Sequence, residues 1–107
     1  MKINIKPLSV NQCWQGRRFK TPKYKSYILE LTYLLKDLVL PKPPYKVYYE
    51  FGFSSSASDL DNPIKPLQDI LQKRYKFDDK HIHKMTVEKF KVKKGNEYLI
   101  FKIDSMY

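Results

Sequence analysis

The segment "YKVYYEFGF", residues 45–53, sets the framework of the fold. Val47, Tyr49, Phe51 and Phe53 fall on one side of an extended chain, with Lys46, Tyr48 and Glu50 on the other. This period of two predicts a strand with one face in the core.

Downstream, the loop "SSSAS" (54–58) is followed by a predicted helix that starts at Asn62-Pro63 and fades near residues 73–76. The segments "IHKMTVEKFKV" (82–92) and "EYLIFKI" (97–103) then predict two strands. The glycine-containing sequence "KKGN" between them predicts a hairpin turn.

Upstream, "KINIK" (2–6) alternates as a short strand does, and residues 7–22 have the composition of a long loop. Thr21-Pro22 is a typical helix start. An apolar stripe from Tyr24 to Leu38 predicts the helix, and "PKPP" (41–44) is expected to end it.

Together these elements predict a mixed α/β fold, a small β-sheet with two main helices in the order β-α-β-α-β-β. With 107 residues, 42% of them apolar, the chain is expected to form one domain, 1–107. The single cysteine, Cys13, excludes an internal disulfide and favours a cytoplasmic setting. The sequence has no long apolar run, so neither a membrane span nor a signal peptide is expected.

The charge balance favours an anionic partner, nucleic acid first. Lysine and arginine number 21 against 11 acids, a net charge of +10, and no acid precedes Glu30. The expected phosphate contacts are Arg17, Arg18, Lys20, Lys23 and Lys25. Trp14 lies beside these cations, where it either stacks on unpaired bases or caps the core.

Acidic residues are concentrated in "SDLDNPIKPLQDILQKRYKFDD" (58–79), which holds Asp59, Asp61, Asp69, Asp78 and Asp79. Aspartates two apart in an extended chain point the same way, which suits two oxygen ligands on one hard cation such as magnesium. A metal of this kind neutralises charge at a scissile phosphate and activates water. The alternatives are helix capping by Asp61 or Asn62, a surface pair of Asp61 with Lys65, and a polar turn at 78–79.

The order Asp-x-Asp-Asn (59–62), Lys65, Asp69 and the pair Asp78-Asp79 resembles the signature of the RusA family of Holliday junction resolvases. The opening "PLSVNQCW" (7–14), with Asn11 and the arginines that follow, is similar to the family's start. The ending "VKKGNEYLIFKI" (92–103) resembles its closing hairpin. The resemblance therefore covers almost the whole chain.

This resemblance implies a homodimeric, magnesium-dependent endonuclease of phage or bacterial origin that cuts four-way DNA junctions in recombination and repair with paired symmetric nicks. It implies metal-binding carboxylates at Asp59, Asp61 and Asp79, and a catalytic lysine at Lys65. Manganese is a possible substitute for magnesium. Asp69, as a partner of Lys65, and Asp78, as a turn residue, are expected to play supporting roles.

Three other functions stay open at this point. The chain could be a nucleic-acid-binding module without catalysis, a metal-dependent nuclease acting on flaps or other branched DNA, or an assembly module with solubilising lysines. His81 and His83, two apart in a predicted strand, are expected at the surface or against phosphate, because imidazole is a poor ligand for magnesium.

Overall fold

The computed structural model describes residues 1–107 and confirms a mixed α/β fold. Its main sheet has four strands in the order β1-β6-β4-β5. The bounds are β1 Lys2–Ile3, β4 Tyr45–Phe53, β5 Ile82–Lys91 and β6 Tyr98–Ser105. A small second sheet pairs β2 Trp14–Gln15 with β3 Phe19–Lys20, and the helices are α1 Pro22–Leu34 and α2 Ile64–Tyr75. Neither helix has the length and apolar character needed to cross a bilayer.

Strand β4 lies inside the sheet, between β6 and β5, and its alternate side chains are buried. Tyr49 and Phe51 are fully buried, and Val47 is nearly so. They belong to the same core as Leu67 and Leu71 of α2. Hydrophobic burial of this alternating set fixes which face of β4 the helices cover.

Helix α2 connects β4 to β5, which run parallel. A parallel connection must return the chain to the end of the sheet from which β4 started. Tyr45 is accordingly paired with Ile82, and Phe53 with Lys91. The residues that precede α2 therefore follow the end of β4, and those that follow α2 lead to the start of β5.

The predicted hairpin between the last two strands is wrong. β5 pairs with one edge of β4 and β6 with the other, so the last two strands flank β4 and do not pair with each other. The connection crosses the end of β4, where the Val92 amide donates to the Phe53 carbonyl (2.7 Å). The Ser54 hydroxyl donates to Glu97 there (2.9 Å). The glycine-containing sequence predicts a turn from its neighbouring residues alone. Which strands pair depends instead on β4, whose two edges are occupied by β5 and β6.

Helix α1 starts where the sequence predicts, since the Thr21 hydroxyl accepts a hydrogen bond from the Tyr24 amide (3.1 Å). It ends at Leu34. The predicted apolar stripe continued to Leu38, and the prolines expected to end the helix lie further on, in residues 41–44. The next residues are extended against the end of α2. There the Tyr75 hydroxyl donates to the Lys36 carbonyl (2.6 Å), and Arg74 contacts Asp37 (2.7 Å).

The N-terminal segment contains less strand and more turn than predicted. β1 covers only Lys2–Ile3, where residues 2–6 were expected. The predicted loop contains the β2–β3 hairpin, whose turn includes Gly16 at a φ of +68°, a conformation that favours glycine. Arg17 and Arg18 follow in this turn.

The sheet face opposite the helices carries its own polar network. Tyr48 and Tyr98 both donate their hydroxyl protons to Glu50. These hydrogen bonds lower the pKa of Glu50 below its ordinary value. Lys2 lies over the ring of Tyr98, 4.7 Å from its centroid.

A substitution at Gly52 tests how closely β6 approaches β4. A Cβ atom at this position would lie 2.3 Å from the ring of Tyr98, directly across the strand pair. Gly52→Ala is expected to lower the free energy of unfolding by about 1–3 kcal/mol, because the ring must move. Urea unfolding measures the loss. In a Tyr98→Ala background the same substitution should cost much less, and an equal cost in both backgrounds would contradict this explanation.

Candidate functional site

The Asp-x-Asp-Asn segment forms an irregular turn before α2. Asp59 accepts a hydrogen bond from the Asn62 side-chain amide (2.9 Å), and the Asp61 carbonyl accepts from the Ile64 amide (3.1 Å). Leu60 and Asp61 lie in a bend, so the extended conformation expected for the two aspartates is not found. Neither Asp61 nor Asn62 caps α2, whose N-cap position is Pro63 without a side-chain cap.

This turn lies against the N-terminal segment. The Val10 amide donates to the Asn62 carbonyl (2.9 Å). A cleft of about 420 Å³ is lined by residues of both segments, including Lys6, Asn11 and Asp59. The structure therefore brings the predicted DNA contact Asn11 into the same cleft as the first predicted catalytic carboxylate.

Lys65 and Asp69 form an ion pair one helical turn apart. The Lys65 ammonium lies 2.9 Å from an Asp69 oxygen, and the side chains are 65% and 37% exposed. The hydrogen bond to Asp69 is the largest cause of the raised pKa of Lys65, and the charge of Asp79 adds to it. Lys65 is therefore an ammonium paired with Asp69 on the exposed side of α2, as the spacing of the two residues in the sequence suggested.

Asp78 and Asp79 follow α2, whose C-cap residue Lys76 has a left-handed conformation. Asp78 accepts a hydrogen bond from the Lys80 amide (3.0 Å) and caps a short 3-10 turn, Asp79–His81. This bond lowers the pKa of the Asp78 carboxyl. Asp79 is exposed, and its charge helps to raise the pKa of Tyr49, after the larger effect of burial.

The three predicted metal ligands do not meet within one chain. Asp59 and Asp61 precede α2, whereas Asp79 follows it and donates its backbone amide to the Gln72 side chain of the helix. No three side chains of the His, Cys, Asp or Glu type are grouped closely enough to hold a metal ion. The carboxylates have the oxygen-donor chemistry that magnesium prefers, but a single chain supplies them from two separate places.

The predicted phosphate contacts lie on the hairpin and on the first turn of α1. Arg17 and Arg18 are exposed in the hairpin turn, and Lys23 and Lys25 are exposed on α1. These positions concentrate exposed positive charge at the hairpin turn and the start of α1.

Trp14 and Lys20 line a groove of about 770 Å³ whose other wall includes Asp69 and Arg74 of α2. Trp14 is 44% exposed and packs edge-on against Tyr24, with ring centroids 5.7 Å apart. The groove joins the basic hairpin to the helix that carries Lys65.

The two histidines do not share a strand. His81 ends the 3-10 turn and is half-buried, whereas His83 is exposed on β5. The expectation that both histidines lie in one strand is wrong, because β5 begins at Ile82. Neither belongs to a cluster of metal-ligating side chains.

Three supporting contacts were missed by sequence reasoning. Gln72 accepts a hydrogen bond from the Asp79 amide (2.8 Å), and Gln68 accepts one from Tyr49 (2.9 Å). Lys89 of β5 donates to the Ser58 carbonyl (2.7 Å) and so holds the loop that leads to Asp59. The glutamines lie four apart on α2, a signal that sequence could have provided. The Lys89 contact depends on the β4–β5 pairing and has no local signal.

The family model described as Endodeoxyribonuclease RusA matches residues 7–100, which include the cleft, α2, the acidic turn and the basic hairpin. No curated protein matches the chain.

The ion pair makes a prediction about Lys65 itself. Asp69→Asn removes the charged partner, so the pKa of Lys65 should fall toward the ordinary value of a lysine. Heteronuclear NMR of the lysine side chains across a pH titration measures this shift. Asp37→Asn, which removes a carboxylate paired with Arg74 instead, should leave Lys65 unchanged. An unchanged Lys65 titration in Asp69→Asn would contradict the pairing in solution.

Proposed function

The chain belongs to the RusA endodeoxyribonuclease family, a family of Holliday junction-resolving nucleases, and from this premise we propose that it cuts four-way DNA junctions by metal-dependent hydrolysis of phosphodiester bonds. The observation that carries the proposal is the family match across residues 7–100, which contain every predicted catalytic residue. The arrangement of cations and carboxylates around α2 supports it.

The basic hairpin and the start of α1 are proposed to hold the DNA backbone. Arginine and lysine contacts to phosphate supply affinity without reading sequence, so junction geometry governs selection. Trp14 in its groove presents an aromatic edge and face to bases that are unpaired at a branch point. The groove leads from this contact toward Asp69 on α2.

Lys65 is proposed to stabilise the negative charge that develops on the phosphate. Its raised pKa keeps the ammonium protonated, so it cannot accept a proton and serves as a cation or hydrogen-bond donor. Asp69 fixes the position of the ammonium through the 2.9 Å ion pair. Asp69 is thus a positioning residue for Lys65.

Asp59, Asp61 and Asp79 are proposed as the metal ligands, supplied by two subunits of a homodimer. The first two come from one chain and Asp79 from the other, since the three are not grouped closely enough within one chain to hold an ion. When bound, magnesium (or manganese in its place) neutralises charge on the phosphate and activates a water. Two copies form two such sites, which accounts for two nicks in one junction.

Cleavage of a synthetic four-way junction tests the nuclease assignment. With magnesium, the wild-type chain should nick the junction symmetrically and leave a linear duplex intact, and chelator should abolish the cuts. Asp61→Asn should lose nearly all cutting while binding the junction as well as or better than wild type, because a negative charge beside phosphate is removed. Denaturing gels and gel-shift assays measure the two properties.

The control is Asp104→Asn, which neutralises an exposed carboxylate on β6 away from α2 and should leave cutting unchanged. Full activity of Asp61→Asn would contradict the site assignment. Equal cutting of flaps and junctions would indicate a broader branched-DNA nuclease, and tight binding by the wild-type chain without any cleavage would indicate a binding module.

Mixed dimers test whether the site is shared. Asp61→Asn and Asp79→Asn homodimers should each be inactive. If the ligands come from two chains, a heterodimer has one site with both substitutions and one intact site. Unfolding and refolding an equal mixture should therefore restore single-strand nicking of the junction to roughly a quarter of wild-type activity, because half of the dimers carry one intact site.

Mixing Asp61→Asn with Asp59→Asn is the matched control. Both substitutions lie on the same side of the shared site, so every site keeps one defect and no activity should return. Recovery in this control, or no recovery with Asp79→Asn, would contradict a site formed by two chains.

A further inference from the structure

The connection between β5 and β6 carries lysines that the catalytic scheme does not use. It crosses the end of β4, and Lys93 and Lys94 are exposed in it. A wide groove of about 1190 Å³ lies beside it and is also lined by Lys91 of β5 and Lys2 of β1. Both ion pairs of the chain involve α2, so none of these four lysines has a carboxylate partner.

Glu97 is the one acidic side chain of this groove, and it is engaged by the connection itself. One of its carboxylate oxygens accepts a hydrogen bond from the Ser54 hydroxyl (2.9 Å), and the other accepts from the Gly95 amide (2.7 Å). Hydrogen bonds from its own backbone amide, from Ser54 and from Gly95 lower the pKa of Glu97. Glu97 therefore fixes the connection, and the four lysines leave the groove with a positive charge that attracts polyanions.

The positive surface continues from the connection to the start of α1. A second cavity, of about 370 Å³, is lined by Gly95 of the connection, by Lys6 and by Lys23 of α1. Lys6 also lines the cleft that contains Asp59, and this cleft shares Glu97 with the groove. The lysines of the connection are thus linked through Lys6 to the phosphate contacts of α1, with the cleft beside them.

We propose that this groove binds the phosphate backbone of one double-stranded arm of the DNA junction and continues the contacts made by the hairpin and α1. The proposal rests on the proposed function, because it takes branched DNA to lie in the Asp59 cleft. The phosphate-binding residues that it adds are Lys2, Lys6, Lys91, Lys93 and Lys94.

The groove suits paired DNA because it offers no free aromatic face. Tyr98 is the only aromatic residue in its lining. The Tyr98 hydroxyl donates to Glu50, and the Lys2 ammonium lies over its ring, 4.7 Å from the centroid. Proteins that bind single strands stack bases on aromatic rings, whereas the backbone of a duplex requires only cations. The half-exposed Trp14 lies in a different groove, so unpaired bases and paired arms are bound at separate places.

The salt dependence of junction binding tests the groove. Each phosphate contact on duplex DNA contributes about 0.9 to the slope of log affinity against log salt. The double variant Lys93→Gln with Lys94→Gln should therefore bind a four-way junction more weakly, with a slope roughly 2 smaller than that of wild type. Fluorescence anisotropy without metal measures the slope. The urea unfolding midpoint should be unchanged, because neither ammonium has an ion-pair partner.

The matched control is Lys42→Gln with Lys46→Gln, which removes the same charge near the start of β4. Seven residues of extended strand, about 23 Å, separate Lys46 from Phe53, where the connection crosses. The control should keep the wild-type slope. An unchanged slope in the Lys93/Lys94 variant, or an equal decrease in both variants, would overturn the groove as a DNA-binding site.

A single-stranded oligonucleotide tests whether the groove binds paired DNA. The Lys93/Lys94 variant should bind it as tightly as wild type does, since unpaired bases are expected at Trp14. An equal loss of affinity for the single strand and the junction would overturn the assignment to a duplex arm.

Cross-linking locates the arm directly. Asn96→Cys, exposed in the connection, can carry a photoreactive group and should cross-link to one junction arm. Lys42→Cys should not. The native Cys13 does not react, since it is buried and burial raises its pKa to about 11. No cross-link from Asn96→Cys above the Lys42→Cys control would overturn the proposal.

These binding measurements are independent of cleavage. A wild-type chain that cuts junctions while the Lys93/Lys94 variant keeps the wild-type slope refutes the groove alone. A chain that binds with the expected slopes and never cuts refutes the nuclease assignment and supports the groove.

Discussion

The parallel pairing of β4 with β5 is the constraint on which the rest of the molecule depends. It requires α2 to return the chain along the sheet, so that Asp59 and Asp61 precede the helix and Asp79 follows it. Three carboxylates forced together without a cation would repel one another and raise their pKa values. Their separation in one chain avoids that cost until a cation and a second chain are present.

The positive charges are distributed differently from the acids. Lysines and arginines are spread over the hairpin and the start of α1, where exposed ammonium and guanidinium groups attract the DNA backbone at long range. Lys65 is the lysine that is ion-paired within the acidic segment, and Asp69 holds it in place. The chain thus separates attraction of the polyanion, which needs many cations, from the chemistry at one phosphate, which needs few groups in fixed positions.

Local patterns predicted the elements well and their connections poorly. The alternation of residues 45–53, the cap at Thr21 and the Lys65–Asp69 spacing depend on neighbours within a few positions, and the structure contains all three. The hairpin between the last strands and the length of α1 depend on distant partners, the edges of β4 and the end of α2. Sequence periodicity carries no information about such partners.

The candidate site shows the same division. Its residues were identifiable from their order along the chain, because the family resemblance concerns that order. The bend at Leu60 and the absence of a carboxylate cluster within one chain were not identifiable, since they depend on the path of the loop and on the topology of the sheet.

Manganese binding measured across a dilution series tests the central claim most directly. Electron paramagnetic resonance distinguishes free from bound manganese, and sedimentation gives the fraction of dimer at each protein concentration. If two chains hold each ion, the affinity per chain should fall in parallel with the dimer fraction as the protein is diluted. Tight binding of one manganese ion per chain by the fully dissociated monomer would contradict the account.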